Sequence, residues 1–301
     1  MHNKPLFFCL AIIVAASASK AQSASIADFT DFSLSSGATT LLPGRLFIPP
    51  AVVSDPLTPR PFILFLHGAG ESGVNNVTQV NGNIDNLLAE AKRRNAFLYA
   101  PQTNGGWSST AILDRVKTMI DQALTEQPVD STRLYATGLS MGGGGTWNML
   151  SRYPNSFAAG VPICGVSPAA GFAAGNLVDQ ALWTFHAGDD SVVSYITTRN
   201  VVIQILSAAG EPAPPYAPRR PTSDFEFASS TIDLRHSEFQ FGGHGIWNRV
   251  YGTPATYEWM FSHSTAVPEP TSAMLILAAA GVPVILNRRP RTANVRRKWL
   301  V

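Results

Sequence analysis

The chain has 301 residues, 45% of them hydrophobic and 14% charged, with a formal net charge of +2, so it is long enough to bury a full core and is read as one large domain flanked by processed segments. Six basic residues (Arg288, Arg289, Arg291, Arg296, Arg297 and Lys298) fall in the last fourteen positions. The body is therefore acidic, which argues against a nucleic-acid surface.

The first residues, Met1-His2-Asn3-Lys4, lead into an apolar run from Leu6 to Ala16 and then into small residues ending Ala21-Gln22-Ser23. That pattern predicts a signal peptide over residues 1–23, too short to span a bilayer comfortably, cut by signal peptidase near Ala21 or Ser23, so that the mature protein is exported. With Cys9 in this segment, Cys164 is the lone cysteine of the mature chain. It is expected to be a small apolar core residue at a strand end, and no internal disulfide can form.

A catalytic domain is expected over residues 25–264. Strand-like runs at Thr40–Ile48 and Phe62–Leu66 are separated by a Pro-rich loop. A helix is predicted over Ile84–Arg94, a strand over Ala96–Ala100 and a helix over Ala111–Glu126. Next come a strand at Arg133–Thr137, a helix from Gly143 to Tyr153, and strands at Phe157–Ile163 and Ala181–His186. A helix from Ser194 to Ala209 precedes a loop, Gly210–Asp224, that carries five prolines without periodicity. A final strand over Leu234–Phe241 and a closing helix over Ile246–His263 complete the pattern. Strands alternating with longer helical runs predict an α/β domain around a mainly parallel sheet with helices on both faces.

Between the strand at 133–137 and its helix lies Gly138-Leu139-Ser140-Met141-Gly142. A serine in G-x-S-x-G on a sharp strand-to-helix turn needs small neighbours, and the turn presents its hydroxyl as a nucleophile. The hydroxyl is weakly nucleophilic at neutral pH, so it needs a histidine base and a carboxylate to orient that base, in the chain order serine, acid, histidine. His2, His67 and His186 precede the candidate acids, His236 falls inside a strand and His263 ends a helix. His244, in the loop Gly242-Gly243-His244-Gly245, is therefore the expected base. Asp189 and Asp190, after the strand at 181–186, both qualify as the acid by spacing. The oxyanion of the reaction is expected to meet the backbone amides of Met141, after the nucleophile, and Ala69, in His67-Gly68-Ala69-Gly70. Trp107 and Trp247 are candidates to line a pocket or stack on a sugar ring, with buried packing the equal alternative for each. No H-E-x-x-H, paired-cysteine or G-x-G-x-x-G pattern is present, so neither metal nor cofactor is expected.

Together, Phe65-Leu66-His67-Gly68-Ala69-Gly70-Glu71-Ser72-Gly73, Tyr99-Ala100-Pro101-Gln102, Thr137-Gly138-Leu139-Ser140-Met141-Gly142-Gly143 and Phe185-His186-Ala187-Gly188-Asp189-Asp190 are similar to motifs of bacterial secreted α/β-hydrolases. The group consists of predicted esterases and peptidases related to phospholipase/carboxylesterases and dienelactone hydrolases, and the resemblance runs from about Leu41 to His263. It implies an α/β-hydrolase fold, assigns the acid to Asp190, four residues after the strand-end histidine, and matches the base to His244, with Trp247 as the aromatic that follows it. Unlike dienelactone hydrolases the chain has serine as its nucleophile, and its Pro-rich insertion is longer than the pattern.

Residues 265–301 contain Val267-Pro268-Glu269-Pro270, an apolar stretch from Ala273 to Leu286 and the arginine cluster. This resembles a PEP-CTERM sorting segment, which implies a hydrophobic transmembrane helix, transient membrane association and cleavage by an exosortase-type enzyme on the way to the cell exterior; an ordinary membrane anchor is the alternative. The resulting expectation is an exported serine hydrolase that cleaves carboxylic esters, with polysaccharide-linked acetyl or feruloyl esters favoured. A peptidase or lipid esterase of the same fold, or a non-catalytic surface binding module, is the alternative.

Overall fold

The run Phe62-Ile63-Leu64-Phe65-Leu66 has no polar residue facing either way, the pattern of a strand covered on both sides. The computed structural model, which describes residues 23–266, places it near the centre of a nine-stranded sheet. The expected signal peptide and sorting segment, with its apolar helix, lie outside the described residues except at their inner ends.

Among the described residues, β1 (Thr30–Asp31), β2 (Leu34–Ser36), β3 (Thr39–Leu42), β4 (Gly44–Phe47), α1 (Ala51–Ser54) and β5 (Arg60–Leu66) come first. They are followed by α2 (Asp85–Arg93), β6 (Phe97–Pro101), α3 (Thr110–Glu126), β7 (Val129–Leu139), α4 (Met141–Arg152), β8 (Ala159–Ile163), β9 (Ala181–Ala187) and α5 (Tyr195–Ala208). The last are β10 (Phe225–Ala228), β11 (Leu234–Phe239), α6 (Trp247–Tyr251) and α7 (Pro254–Phe261). The strand order is β1-β4-β6-β5-β7-β8-β9-β11-β10. Pairing is parallel from β6 through β11 and antiparallel at both edges. Among the described residues no helix is long and apolar enough to cross a membrane.

Strand alternation divides the core into two layers. Ile63, Phe65, Leu98, Ala100 and Tyr135 pack beneath α2, α6 and α7, while Phe62, Leu64, Leu66, Phe97, Tyr99, Leu134 and Ala136 face α3, α4 and α5. Successive side chains of a strand point to opposite faces, so one apolar run serves both layers.

Three expectations are corrected. The strand at 40–48 is interrupted at Pro43, which has no N–H for a ladder; β3 pairs with β2 in a separate hairpin, and only β4 joins the main sheet. The closing helix at 246–263 is two helices, because Pro254 cannot continue α6 and instead opens α7 at its first turn. β10, an edge strand paired to β11 from Phe225↔Glu238 to Ala228↔Arg235, was hidden by the proline-rich segment before it.

That segment is strapped to the body by one buried cation. Arg199, on α5, donates to both carboxylate oxygens of Glu238 at 2.6 and 2.7 Å and to the Ala217 carbonyl at 2.8 Å. Its guanidinium lies 4.5 Å from the Tyr216 ring centroid and 4.7 Å from that of Tyr195. Glu238 is fully buried and Arg199 nearly so, so removing one partner strands the other charge in the interior. Glu238→Ala is expected to lower the unfolding free energy by about 3–5 kcal/mol in urea titrations, and replacing both residues by methionine to cost much less.

Candidate active site

The parallel register sets where the loops meet. Leu139 of β7 pairs with Ile163 of β8, Ile163 with Phe185 of β9, and Ala187 with Phe239 of β11. Ser140, the loop 188–193 and the loop 240–246 therefore emerge side by side at the carboxyl edge of adjacent strands.

Ser140 has φ 55° and ψ −117°, a left-handed conformation that a residue with a side chain adopts only when its surroundings enforce it. Its amide donates to the Ile163 carbonyl at 2.9 Å, and its own carbonyl accepts from Gly144 at 3.1 Å and Val166 at 3.2 Å. Gly142 lies so close to β5 that a Cβ there would overlap the Leu66 carbonyl. These constraints turn the chain sharply into α4 and aim the hydroxyl out of the sheet edge.

His244 joins the other two groups. Its Nε2 lies 2.8 Å from Ser140 Oγ and its Nδ1 2.7 Å from Asp190 Oδ2. With Nδ1 protonated toward the carboxylate, Nε2 is the acceptor for the serine hydroxyl. An imidazole so placed can remove the hydroxyl proton while the carboxylate stabilises the imidazolium that forms.

The Asp190 side chain is buried. Burial pushes its pKa up, but hydrogen bonds from His186 and His244 and from the Val193 and Val192 amides prevail and hold the carboxyl well below its usual range. His186, set aside as the base because it precedes the acids, contacts the acid itself. It is fully buried, with Nε2 at 3.1 Å from the same Oδ2 that His244 uses and Nδ1 at 2.7 Å from Thr198 Oγ1. Asp189, the other carboxylate that spacing allowed, accepts from the Gly243 amide at 2.7 Å. It thus braces the histidine loop from the residue before His244.

The loop carrying Ala69 is pinned in turn. His67 is buried; its Nδ1 donates to the Gly68 carbonyl at 2.7 Å and its Nε2 accepts from the Thr103 amide at 3.1 Å. Burial lowers its pKa, so it stays neutral. Gly68 packs against Leu139, whose side chain would have to shift to admit a Cβ, and this close approach brings the loop to the corner where Ser140 sits. Ala69 and Met141 each begin a helix, so neither amide has an acceptor in a preceding turn.

The two tryptophans are placed differently. Trp107 is 1% exposed, donates to the His67 carbonyl at 3.0 Å and meets that ring edge-on; its indole is core and offers no face to a sugar. Trp247 is half-buried, stands edge-on to His244 at 5.5 Å and donates to Asn83 Oδ1 at 2.9 Å. Asn83 also donates to Glu71, so the histidine loop and the Ala69 loop are coupled through Trp247, Asn83 and Glu71. Side-chain hydrogen bonds across 164 residues of chain leave no local sequence signal, and Asn83 was not singled out.

Cys164 is a core residue at a strand end, as expected, with φ 39° and its thiol donating to the His244 carbonyl at 3.4 Å. Cys164 Sγ, Asp190 and His244 lie close enough together to suggest a metal cluster, but the donors are already engaged in the contacts above and the thiol is protonated, burial raising its pKa to about 12.

No protein-family model matches the chain. It is 36% identical to acetylxylan esterase A of Emericella nidulans over 77 residues, 26% of the chain and 24% of that protein. It is 29% identical to acetylxylan esterase A of Aspergillus ficuum over 170 residues, 56% of the chain and 48% of that protein. The crystal structure of a thermostable esterase superposes with a TM-score of 0.65 at 32% identity, covering 79% of this chain and 64% of that one. The chain has the α/β-hydrolase fold. It spans between about a quarter and a half of the curated relatives' length.

A thiol with so high a pKa, buried beneath the His244 loop, is protected in the native state. Cys164 should react with a disulfide reagent such as dithionitrobenzoate only after unfolding; rapid labelling of the folded protein at neutral pH would contradict the packing described.

Proposed function

We propose that the protein is a serine hydrolase of carboxylic esters, acting on acetyl groups carried by a polysaccharide. The observation that carries this reading is the bridge formed by His244, 2.8 Å from Ser140 Oγ and 2.7 Å from Asp190. Ser140 Oγ attacks the ester carbonyl carbon as His244 Nε2 takes its proton, and Asp190 holds the resulting imidazolium. The amides of Met141 and Ala69 receive the oxyanion. Collapse of the tetrahedral intermediate breaks the bond to the alcohol oxygen, which leaves with the proton from His244, and an acetyl-enzyme remains. Water then attacks this acyl group with His244 again as base, releasing acetate and restoring the Ser140 hydroxyl.

The acetyl-polysaccharide assignment draws on the two acetylxylan esterases to which the chain is similar. We read the enzyme as exported, with residues 1–23 removed by signal peptidase and the segment 265–301 engaging the membrane until an exosortase-type enzyme cuts it. In this mechanism His186 is a positioning residue: it fixes the carboxylate that fixes His244.

Ser140→Ala is expected to lower kcat for p-nitrophenyl acetate by about three orders of magnitude or more, and a fluorophosphonate probe should label Ser140 in the native enzyme. A folded protein that takes no label is a binding module rather than an enzyme. His186→Ala is expected to cut kcat by about ten- to a hundredfold with KM nearly unchanged, and to shift the downfield proton resonance of His244 Nδ1–H; an unshifted resonance would show that His186 does not act through Asp190.

A further inference from the structure

The segment after β8 and the first turns of α5 enclose a concavity of about 430 Å³, within the usual range of ligand sites. Ser167, Phe172, Ile196, Thr197, Asn200 and Gln204 line it. Its two walls begin next to the reacting groups. Ser167 follows Val166, whose amide donates to the Ser140 carbonyl at 3.2 Å. Ser194, the residue that caps α5, follows Val193, whose amide donates to the Asp190 carboxylate at 2.9 Å.

Thr197, Asn200, Val201 and Gln204 fall at i, i+3, i+4 and i+7 and share one face of α5. Among the described residues, the side chains of Ser167, Thr197, Asn200 and Gln204 make no hydrogen bond to protein. The neighbouring concavity of about 260 Å³, which shares Ala169 and Phe172, is built differently. There Asn148 is committed to the Trp107 carbonyl and the Ala169 amide, Ser151 to Ala173 and Arg152 to Asp114. Among the described residues, the second concavity keeps only Ser108 and Thr110 uncommitted and includes the charged Arg152, whereas the first holds four uncommitted polar side chains and no charged residue.

Those properties select a ligand. A charged group would find no counter-ion, and a long acyl chain would cover amides and hydroxyls without satisfying them. A sugar unit suits both kinds of lining: its hydroxyls pair with Ser167, Thr197, Asn200 and Gln204, and its C–H face packs on Phe172 and Ile196.

We propose that this concavity is a glycan subsite that holds a neutral sugar unit of the polymer next to the acetylated one, an inference that rests on the esterase reading above. The test compares kcat/KM for an O-acetylated xylo-oligosaccharide, an O-acetylated methyl xyloside and p-nitrophenyl acetate in the full chain. The wild type should favour the oligosaccharide over the methyl xyloside. In Asn200→Ala/Gln204→Ala the ratio of oligosaccharide to p-nitrophenyl acetate activity should fall about tenfold, mainly through KM. Asn200→Trp, which fills the concavity, gives a second variant should the first fold poorly, and its ratio should fall at least as far. If the wild type prefers the oligosaccharide and folded variants keep that preference, the subsite is wrong and the esterase reading stands. If the wild type hydrolyses p-nitrophenyl acetate but none of the glycan esters, the polysaccharide reading and the subsite both fail.

Discussion

The buried carboxylate of Asp190 is the point on which the site hangs. One of its oxygens meets His244 at 2.7 Å and His186 at 3.1 Å, and the other accepts the Val192 and Val193 amides at 2.8 and 2.9 Å. A desolvated charge is tolerable only when its lone pairs are filled, and here the donors come from the strand β9, the loop after it and the loop after β11. Satisfying that one group therefore fixes three pieces of chain. The imidazole that reaches Ser140 is fixed as a consequence.

Close backbone approach supplies the other half of the geometry. α4 begins with four consecutive glycines after Met141, and the first of them sits against the Leu66 carbonyl where no side chain fits. Glycines weaken a helix, yet α4 packs almost wholly buried between β7, β8 and the segment after β8. Tertiary packing offsets the poor propensity. The gain is a serine held in an unfavourable backbone conformation with its hydroxyl presented at the sheet edge.

The proline-rich strap connects stability to the site. Arg199 and Glu238 tie it to α5 and β11, and its far end lays Pro221 against Gly188 and brings Arg220 to 3.7 Å from Asp189. Asp189 is the residue that braces the amide of Gly243. An insertion without periodicity thus packs onto the loop that carries the acid.

Much of this was legible in the chain itself. Apolar runs covered on both faces, separated by helical periods, imply a parallel sheet because only helices can cover both sides of it, and the small residues around Ser140 mark a turn that larger ones would block. The order serine, acid, histidine narrowed six histidines to three, and position in a glycine-rich loop singled out His244. The roles of His186, Asp189 and Asn83, the burial of Trp107 and the edge strand β10 were not legible, since each depends on a partner remote in the chain or on a register that periodicity leaves open. Residue type and local spacing determined the fold class and the candidate reacting groups, because those follow from short-range sterics and burial. Which side chain donates to which carboxylate was decided only when the parallel register set β7, β9 and β11 close together, because hydrogen bonds are made over about 3 Å and sequence separation does not encode that distance.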